Sequence, residues 1–188
     1  MLNLDWKPPN LETERLILRP LDERDAGDVF LYCSNPDLTR HTLFQTHETI
    51  DDTRFFLHDY RLSRYANSEP DPVGIVLRAD PTRSVIGAIG CHWISRGDAV
   101  MEMGYALAEP YWGRGLVAEA GRAMIAMVFR EYAVERLQAR VFDGNIPSRR
   151  VAEKMGMKYE GCLRSFLLVK GKRRDVDMYS ILRGDLGT

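Results

Sequence analysis

The stretch Ala99–Arg122, AVMEMGYALAEPYWGRGLVAEAGR, contains a strand pattern, two closely spaced glycines and the start of an apolar helical run. Gly113 and Gly115 permit backbone angles that are closed to other residues, and they let another molecule approach the main chain. The first amides of a helix lack intrahelical partners and lie at the positive end of its dipole. A strand that ends in such a turn before a helix therefore predicts an anion site suited to phosphate.

Two common phosphate motifs do not fit this turn. The phosphate-binding loop of ATPases needs a lysine and then a serine or threonine after its last glycine. Here Leu116 and Val117 follow Gly115. A dinucleotide fingerprint needs a third glycine, and Ala118 occupies that position. Both nucleotide-binding interpretations are therefore disfavoured.

The turn resembles the pyrophosphate loop of the GCN5-related N-acetyltransferases (GNAT), which bind acetyl-CoA. Within that family, the chain is similar to the branch typified by the RimJ and RimL acetylators of ribosomal-protein N-termini. The similar segments are Glu102-x-Gly104-Tyr105, Tyr111-Trp112-Gly113-Arg114-Gly115, Glu119-Ala120 and the opening strand ETERLILRP at 12–20. The resemblance runs from about Glu12 to the end of the chain.

This resemblance implies an α/β acyl-CoA N-acyltransferase fold in one domain over residues 1–188. Its central sheet is mixed and mostly antiparallel, with one parallel splayed pair of strands and flanking helices. The resemblance implies that backbone amides around Tyr105, Ala106 and Leu107 hold the pantetheine arm and the thioester carbonyl. It assigns the pyrophosphate to the turn and helix start, Gly113, Arg114, Gly115, Leu116, Val117 and Ala118.

A second motif follows at Asn145–Met157, NIPSRRVAEKMGM. Asn145 is a natural helix N-cap and Gly156 a natural C-cap. The spacing N-x-x-S-x-x-x-x-x-K-x-G is similar to the second cofactor motif of the family, in which the Asn side chain holds the pantetheine arm. Many acetyltransferases have a tyrosine general acid where this chain has Ala152. Ser148 is therefore the candidate for a hydrogen bond to the leaving sulfur.

Acetyl transfer to an amine also needs a group that takes the amine's proton. Glu102 is the predicted base, because strand alternation places it on one face with Gly104 and Ala106, towards the gap where amine and thioester meet. The alternative is a carboxylate that only faces solvent. Glu119 matches the branch pattern too, but its spacing fits an ion pair with Arg122 one turn away.

The periodicity of the remaining chain predicts an antiparallel meander followed by a strand–helix–strand unit. Strands are predicted at Leu11–Pro20, Val73–Ala79, Ser84–Ser95, Ala99–Leu107, Arg136–Asp143, Tyr159–Val169 and Arg174–Arg183. Helices are predicted from Asp22 to Asn35, from Glu48 to Tyr65, from Gly113 to about Tyr132 and after Asn145. Gly87, Gly90 and Gly104 inside strands predict bulges or close backbone approach. The segment Thr39–His47 is interpreted as a surface connection, although the resemblance implies that it helps to wall the acceptor site.

The composition is that of an ordinary globular protein, with 188 residues, 45% hydrophobic, 28% charged and a net charge of −1. It gives no strong field for nucleic acid and no apolar run long enough to span a membrane, so neither is expected as a partner. Three scattered cysteines, Cys33, Cys91 and Cys162, favour free thiols in the cytoplasm. The four histidines, His41, His47, His58 and His92, lack metal-ligand spacing, so no metal is expected and each is interpreted as structural or surface.

The sequence thus predicts an acetyl-CoA-dependent N-acetyltransferase whose acceptor is the α-amino group of a protein or peptide. The alternatives are a small amine, amino acid or aminoglycoside as acceptor, or a CoA-binding sensor without turnover. A homodimer is also a candidate, because Phe55-Phe56 and Phe166 lie in segments of unassigned face.

Overall fold

The computed structural model describes residues 6–187, so the ends of the predicted domain, residues 1–5 and 188, lie outside the described residues. The strands are β1 Leu11–Glu12, β2 Leu16–Pro20, β3 Val73–Leu77, β4 Val85–Ser95, β5 Val100–Leu107, β6 Arg136–Phe142, β7 Lys158–Val169 and β8 Lys172–Leu182. The helices are α1 Ala26–Cys33, α2 Pro36–Thr39, α3 Ile50–Phe55, α4 Arg61–Ala66, α5 Leu116–Glu131 and α6 Ile146–Lys154.

These strands form one sheet in the order β1-β2-β3-β4-β5-β6-β8-β7. Each consecutive pair from β1 to β5 is antiparallel, and β8 pairs antiparallel with both β6 and β7. Among the described strands, β5 and β6 are the one parallel pair. The predicted mixed, mostly antiparallel sheet with one parallel pair is therefore confirmed.

Both faces of the sheet are covered. Leu16 and Leu18 of β2 belong to the larger hydrophobic cluster, which contains the buried face of α5, whereas Ile17 packs against a smaller cluster with α1. Successive strand residues point to opposite faces, so this alternation assigns the two clusters to the two sides of the sheet.

Two predicted elements are each divided in the structure. The opening strand Leu11–Pro20 is divided into β1 and β2 by a turn in which Thr13 N donates to Leu16 O. The helix predicted from Glu48 to Tyr65 is α3 and α4 joined by one wider helical turn at Phe56–Tyr60. Thr49 caps its start, because its hydroxyl accepts from Asp52 N.

The strand glycines fall into two groups. A Cβ on Gly87 would meet the backbone of Ala106 and Leu107, and one on Gly90 would meet the carboxylate and Cα of Asp71. Close approach is confirmed at these two positions. Gly104 differs, because a Cβ there would meet no atom within 4 Å. The missing side chain at Gly104 therefore leaves open space rather than making room for another part of the chain.

Candidate active site

The glycine turn between β5 and α5 has the backbone conformation that its sequence predicts. Gly113 and Gly115 have φ of 73° and 75°, in the left-handed region that favours glycine. At the start of α5, Glu119 N donates to Gly115 O (3.1 Å). The amides of residues 116–118 precede that bond and have no loop or cap partner among the described residues. They therefore offer N–H donors at the positive end of the helix.

The loop between β1 and β2 forms hydrogen bonds to this turn and to the first helical turn after it. The Glu119 carboxylate accepts hydrogen bonds from Thr13 Oγ1 (2.6 Å), the Arg15 backbone N (2.8 Å) and Arg15 Nε (2.6 Å). Arg15 also donates through Nη1 to the carbonyl oxygen of Arg114 (3.0 Å), inside the turn itself. The position of the glycine turn is thus tied to the first strands of the chain.

These contacts correct the predicted partner of Glu119. Arg122 donates instead to the carbonyl oxygen of Lys154 (3.0 Å), and Glu119 pairs with Arg15 across the fold. The Glu119 side chain is only 11% exposed. Burial acts to raise the pKa of Glu119, but the hydrogen bonds from Thr13 and Arg15 outweigh it and hold the pKa below its ordinary value.

The gap between β5 and β6 opens directly beyond Glu102. Register pairs join Val100–Glu102 to Arg136–Gln138, and no further pair follows along the described part of β5. On its other edge, β5 stays paired with β4 as far as Leu107. The open space at Gly104 lies beside this gap. The splayed pair that the resemblance implies is therefore present, with room for a narrow ligand.

The start of α6 brings two hydroxyl groups together. Asn145 Oδ1 accepts a hydrogen bond from Ser148 N (3.3 Å), which confirms the predicted N-cap. Ser148 Oγ lies 2.7 Å from the hydroxyl oxygen of Tyr105, and either group can donate. Burial raises the pKa of Tyr105 to about 12, so its hydroxyl stays protonated at neutral pH. Sequence reasoning placed only the main chain of Tyr105 in the site and missed this phenol.

Glu102 lies on the face of β5 opposite to Tyr105, as predicted, and its carboxylate is buried and paired. It is 5% exposed, and both carboxylate oxygens are occupied. Arg140 donates to Oε1 through Nε (2.8 Å) and Nη2 (2.6 Å), and Gln138 donates to Oε2 through Nε2 (3.0 Å). The alternative of a carboxylate that only faces solvent is therefore wrong: Glu102 is half of a buried ion pair across the fork of β5 and β6.

One cavity of about 1680 Å³ joins these groups. Every predicted site residue except Arg114 lines it: Glu102, Tyr105, Ala106, Leu107, Gly113, Gly115, Leu116, Val117, Ala118, Asn145 and Ser148. Arg114 instead places its guanidinium 5.8 Å from the ring centroid of Tyr111. Its carbonyl, rather than its side chain, is the part of Arg114 that shapes the turn.

The cavity continues below the segment Thr39–His47. His41, Phe44 and His47 line it, so the segment forms a wall rather than only a surface connection. The tip of the β7–β8 hairpin reaches the same wall, where Lys170 Nζ donates to the carbonyl oxygen of Thr39 (2.5 Å). Two distant parts of the chain thereby close one side of the cavity.

His92 is a cavity residue that sequence reasoning missed. Its interpretation as structural or surface is incomplete, because it lines the cavity and pairs in register with Glu102 across β4 and β5. The predicted turn at Arg96–Asp98 joins these two strands, but an irregularity between Trp93 and Ser95 shifts the register of their pairing, so the turn alone does not give the partner of His92. The contact between His92 and Asp71, from the loop before β3, had no signal in the sequence either.

Within residues 6–187, no group of three or more His, Cys, Asp or Glu side chains is arranged to hold a metal ion. None of the described helices is long and apolar enough to cross a membrane.

Replacing Glu119 by Gln tests the contact that holds the turn. The variant keeps the size but loses the charge, and we expect the free energy of unfolding at pH 7 to fall by about 1.5–3 kcal/mol. Because the folded pKa of Glu119 is depressed, its stabilisation is present above the ordinary carboxyl pKa and is lost as pH falls through the folded value. Urea unfolding should show the difference from wild type shrinking below about pH 5.

Glu131→Gln is the matched control on the same helix. Glu131 pairs with Arg130, and these side chains are 51% and 63% exposed. Its loss should change stability by less than about 0.5 kcal/mol. Equal effects of the two substitutions would show that Glu119 contributes no more than a surface ion pair.

Comparisons with known proteins agree with this geometry. The family described as "Acetyltransferase (GNAT) domain" matches residues 15–158. The uncharacterized N-acetyltransferase YoaA of Bacillus subtilis is 31% identical over 93% of this chain and 97% of its own length. The [ribosomal protein uS5]-alanine N-acetyltransferase of Escherichia coli is 25% identical over 88% of this chain and 86% of its own.

The fold is also that of a solved acetyltransferase. The structure of RimL, described as a ribosomal L7/L12 α-N-protein acetyltransferase in complex with coenzyme A, superposes with a TM-score of 0.81. That comparison has 20% identity and covers 93% of this chain and 98% of RimL. The chain belongs to the GNAT family and is an acetyl-CoA-dependent acyltransferase.

Proposed function

We propose that this protein transfers the acetyl group of acetyl-CoA directly to the α-amino group of a protein or peptide. The observation that carries the proposal is one continuous cavity. It joins the free amides at the start of α5, the open gap beside Gly104 and the polar face of the sheet that carries Glu102. A donor and an acceptor can therefore meet at the fork of β5 and β6 from opposite faces of the sheet.

The donor substrate fits the first two parts of this cavity. The pyrophosphate binds the amides of residues 116–118, with the glycine turn allowing close approach. The pantetheine arm follows the edge of β5 at residues 105–107, where β6 no longer supplies partners. Asn145, at the cavity wall, adds a side-chain contact to that arm. Arg114 contributes positive charge at the rim of the turn.

The first chemical requirement of the reaction is a proton donor for the leaving thiolate. Ser148 lies on the α6 side of the gap, and its hydroxyl donates to the sulfur as the carbon–sulfur bond breaks. The Tyr105 hydroxyl stands behind Ser148 at 2.7 Å and, being protonated at neutral pH, donates in turn to Ser148 Oγ. Tyr105 of β5 thus supports Ser148 as the general acid. In α6 this chain has Ala152 at the position where many acetyltransferases have a tyrosine.

Removal of the amine's proton is the second demand. Glu102 lies on the acceptor face, and its role as the base stays a prediction from the sequence. Arg140 and Gln138 already fill three of the roughly four lone-pair sites of its carboxylate. The remaining site, on Oε2, can hold the amine or a water.

The α-amine is the acceptor that needs least assistance. An α-amino group loses its proton near pH 8, whereas an alkylammonium such as that of lysine does so above about pH 10. The relatives named for ribosomal proteins support an N-terminal acceptor, although the sequence relative is distant at 25% identity. Three free cysteines, Cys33, Cys91 and Cys162, support a cytoplasmic location. The homodimer stays a prediction from the sequence.

A screen of acetyl-CoA consumption tests the proposed function. The acceptors are N-terminal peptides, polyamines, amino acids and aminoglycosides, each at the same concentration. Turnover with peptides that is lost when their N-terminus is blocked is the expected result. Turnover only with small amines would show that the acceptor is a small amine rather than a peptide. Acetyl-CoA binding without turnover on any amine would indicate a sensor.

Gly104→Val tests the pantetheine path. Valine suits a strand, and a Cβ at this position meets no protein atom within 4 Å, so the variant should melt as wild type does. The side chain fills the gap, and acetyl-CoA affinity should fall at least about tenfold, or 1.4 kcal/mol. Calorimetry measures the affinity. Gly97→Val, in the open turn between β4 and β5, is the control and should bind normally. Normal binding by Gly104→Val would exclude this path.

Ser148→Ala and Tyr105→Phe test the general acid. The alanine variant keeps the backbone N–H that donates to Asn145, so the helix cap survives. We expect kcat to fall at least about tenfold for Ser148→Ala and less for Tyr105→Phe, with acetyl-CoA affinity unchanged. Steady-state kinetics and calorimetry separate the two quantities. An unchanged kcat for Ser148→Ala would remove the serine from the reaction.

A further inference from the structure

We propose that His92 accepts the proton of the acceptor amine and that Asp71 positions it, an inference that rests on the proposed function. His92 lies on β4 directly opposite Glu102 in register. Directly opposed residues of an antiparallel pair share one face, with Cβ atoms about 4.5–5.5 Å apart. His92 therefore lies on the acceptor face of the cavity, beside the fork of β5 and β6.

Asp71 orients the imidazole. His92 Nδ1 lies 3.4 Å from Asp71 Oδ2, and both side chains are largely buried, at 20% and 13% exposure. An imidazole whose Nδ1 carries a proton towards a carboxylate presents the lone pair of Nε2 on the other side of the ring. His92 Nε2 makes no hydrogen bond within residues 6–187 and is not among the buried unpaired polar atoms, so it opens to the cavity.

The position of Asp71 is built into the fold. Tyr60 donates its hydroxyl to Asp71 Oδ2 (2.7 Å), and Cys91 N donates to the carbonyl oxygen of Pro70 (3.0 Å), which fastens this loop to β4. Any side chain on Gly90 would collide with the Asp71 carboxylate. The glycine two residues before His92 is thus the feature that admits its carboxylate partner.

Within the described residues, two carboxylates face His92, and each of them has a hydrogen-bond or ion-pair partner of its own. Asp71 faces it from the loop before β3, with Tyr60 and Arg64 of the helical segment beyond; Arg64 Nε is 3.8 Å from Asp71 Oδ2. On the sheet, Glu102 faces it from β5 but is paired with Arg140 of β6. Arg64 is paired more closely with Glu69 (2.9 Å), so Asp71 is the carboxylate that faces His92 without a close ion pair, whereas Glu102 is held by Arg140 at 2.6 Å.

The proton transfer fits the reaction. The ammonium form of the acceptor gives one proton to His92 Nε2, which leaves the amine lone pair free to attack the thioester carbon. The nitrogen–carbon bond forms and the carbon–sulfur bond breaks. The second amine proton passes to solvent as the amide forms. Ser148 gives its proton to the thiolate and regains one from solvent through the Tyr105 hydroxyl, 2.7 Å from Ser148 Oγ. The imidazolium then returns its proton to solvent.

The test compares His92→Gln, Asp71→Asn and Glu102→Gln across pH 6.5–9.5 with the best acceptor from the screen. For His92→Gln we expect kcat to fall about 100-fold near pH 7, with acetyl-CoA affinity unchanged. The loss should shrink at high pH, where the amine arrives without its extra proton. Asp71→Asn should give a smaller loss with the same pH dependence, and added imidazole should restore part of the activity of His92→Ala.

His58→Gln is the matched control. His58 also lies beside an aspartate, Asp59 at 3.6 Å, but their side chains are 62% and 55% exposed. Its kcat should equal that of wild type. Unchanged kcat in folded His92→Gln at pH 7, or a pH-dependent loss confined to Glu102→Gln, would overturn the role of His92 and leave the acetyltransferase proposal intact. If His92→Gln does not fold, a lack of imidazole rescue in His92→Ala overturns it. A wild type inactive on every amine overturns both.

Discussion

The separation of β5 from β6 beyond Glu102 is the constraint on which the rest of the site depends. Two neighbouring strands that part leave backbone N–H and C=O groups without a ladder, and buried groups without partners are costly. In this sheet the loss falls on the stretch of β5 that the cavity reaches. In the proposed complex, the amides and carbonyls of the pantetheine arm supply those partners. This unpaired edge of β5 is therefore a place where binding free energy is available.

The point of separation is fixed from both faces of the sheet. On one face, Met101 and Leu137 pair in register and are fully buried in the larger hydrophobic cluster. On the other face, Glu102 and Arg140 bridge the two strands with a buried ion pair. Removing one partner of such a pair typically costs about 3–5 kcal/mol, because the other charge stays buried. The need to neutralise Arg140 explains why the Glu102 carboxylate is occupied. Holding β5 and β6 together is therefore a different role from accepting the proton of the amine.

Local signals in the sequence were sufficient for three backbone features of the candidate site. The glycine turn, the cap at Asn145 and the face of Glu102 each follow from a few neighbouring residues, and the structure has all three. The interactions that sequence reasoning missed join distant segments: Glu119 with Arg15, Tyr105 with Ser148, and His92 with Asp71. These pairs form because helices and strands from distant parts of the chain pack together, and the spacing of residues in the sequence does not show which elements will meet. For Glu119, the nearer Arg122 offered a local partner, and the tertiary contact prevailed over it.

The contact between Arg15 and Glu119 also has a consequence for how the protein is made. It joins residues 104 positions apart, so closing this loop carries a chain-entropy cost that no local structure offsets in advance. During synthesis, the first strands leave the ribosome long before α5, and the glycine turn has no support until both are present. The support of the turn thus needs an early segment of the chain and a later one to be in place together. A nascent chain that has formed only its meander cannot yet hold coenzyme A.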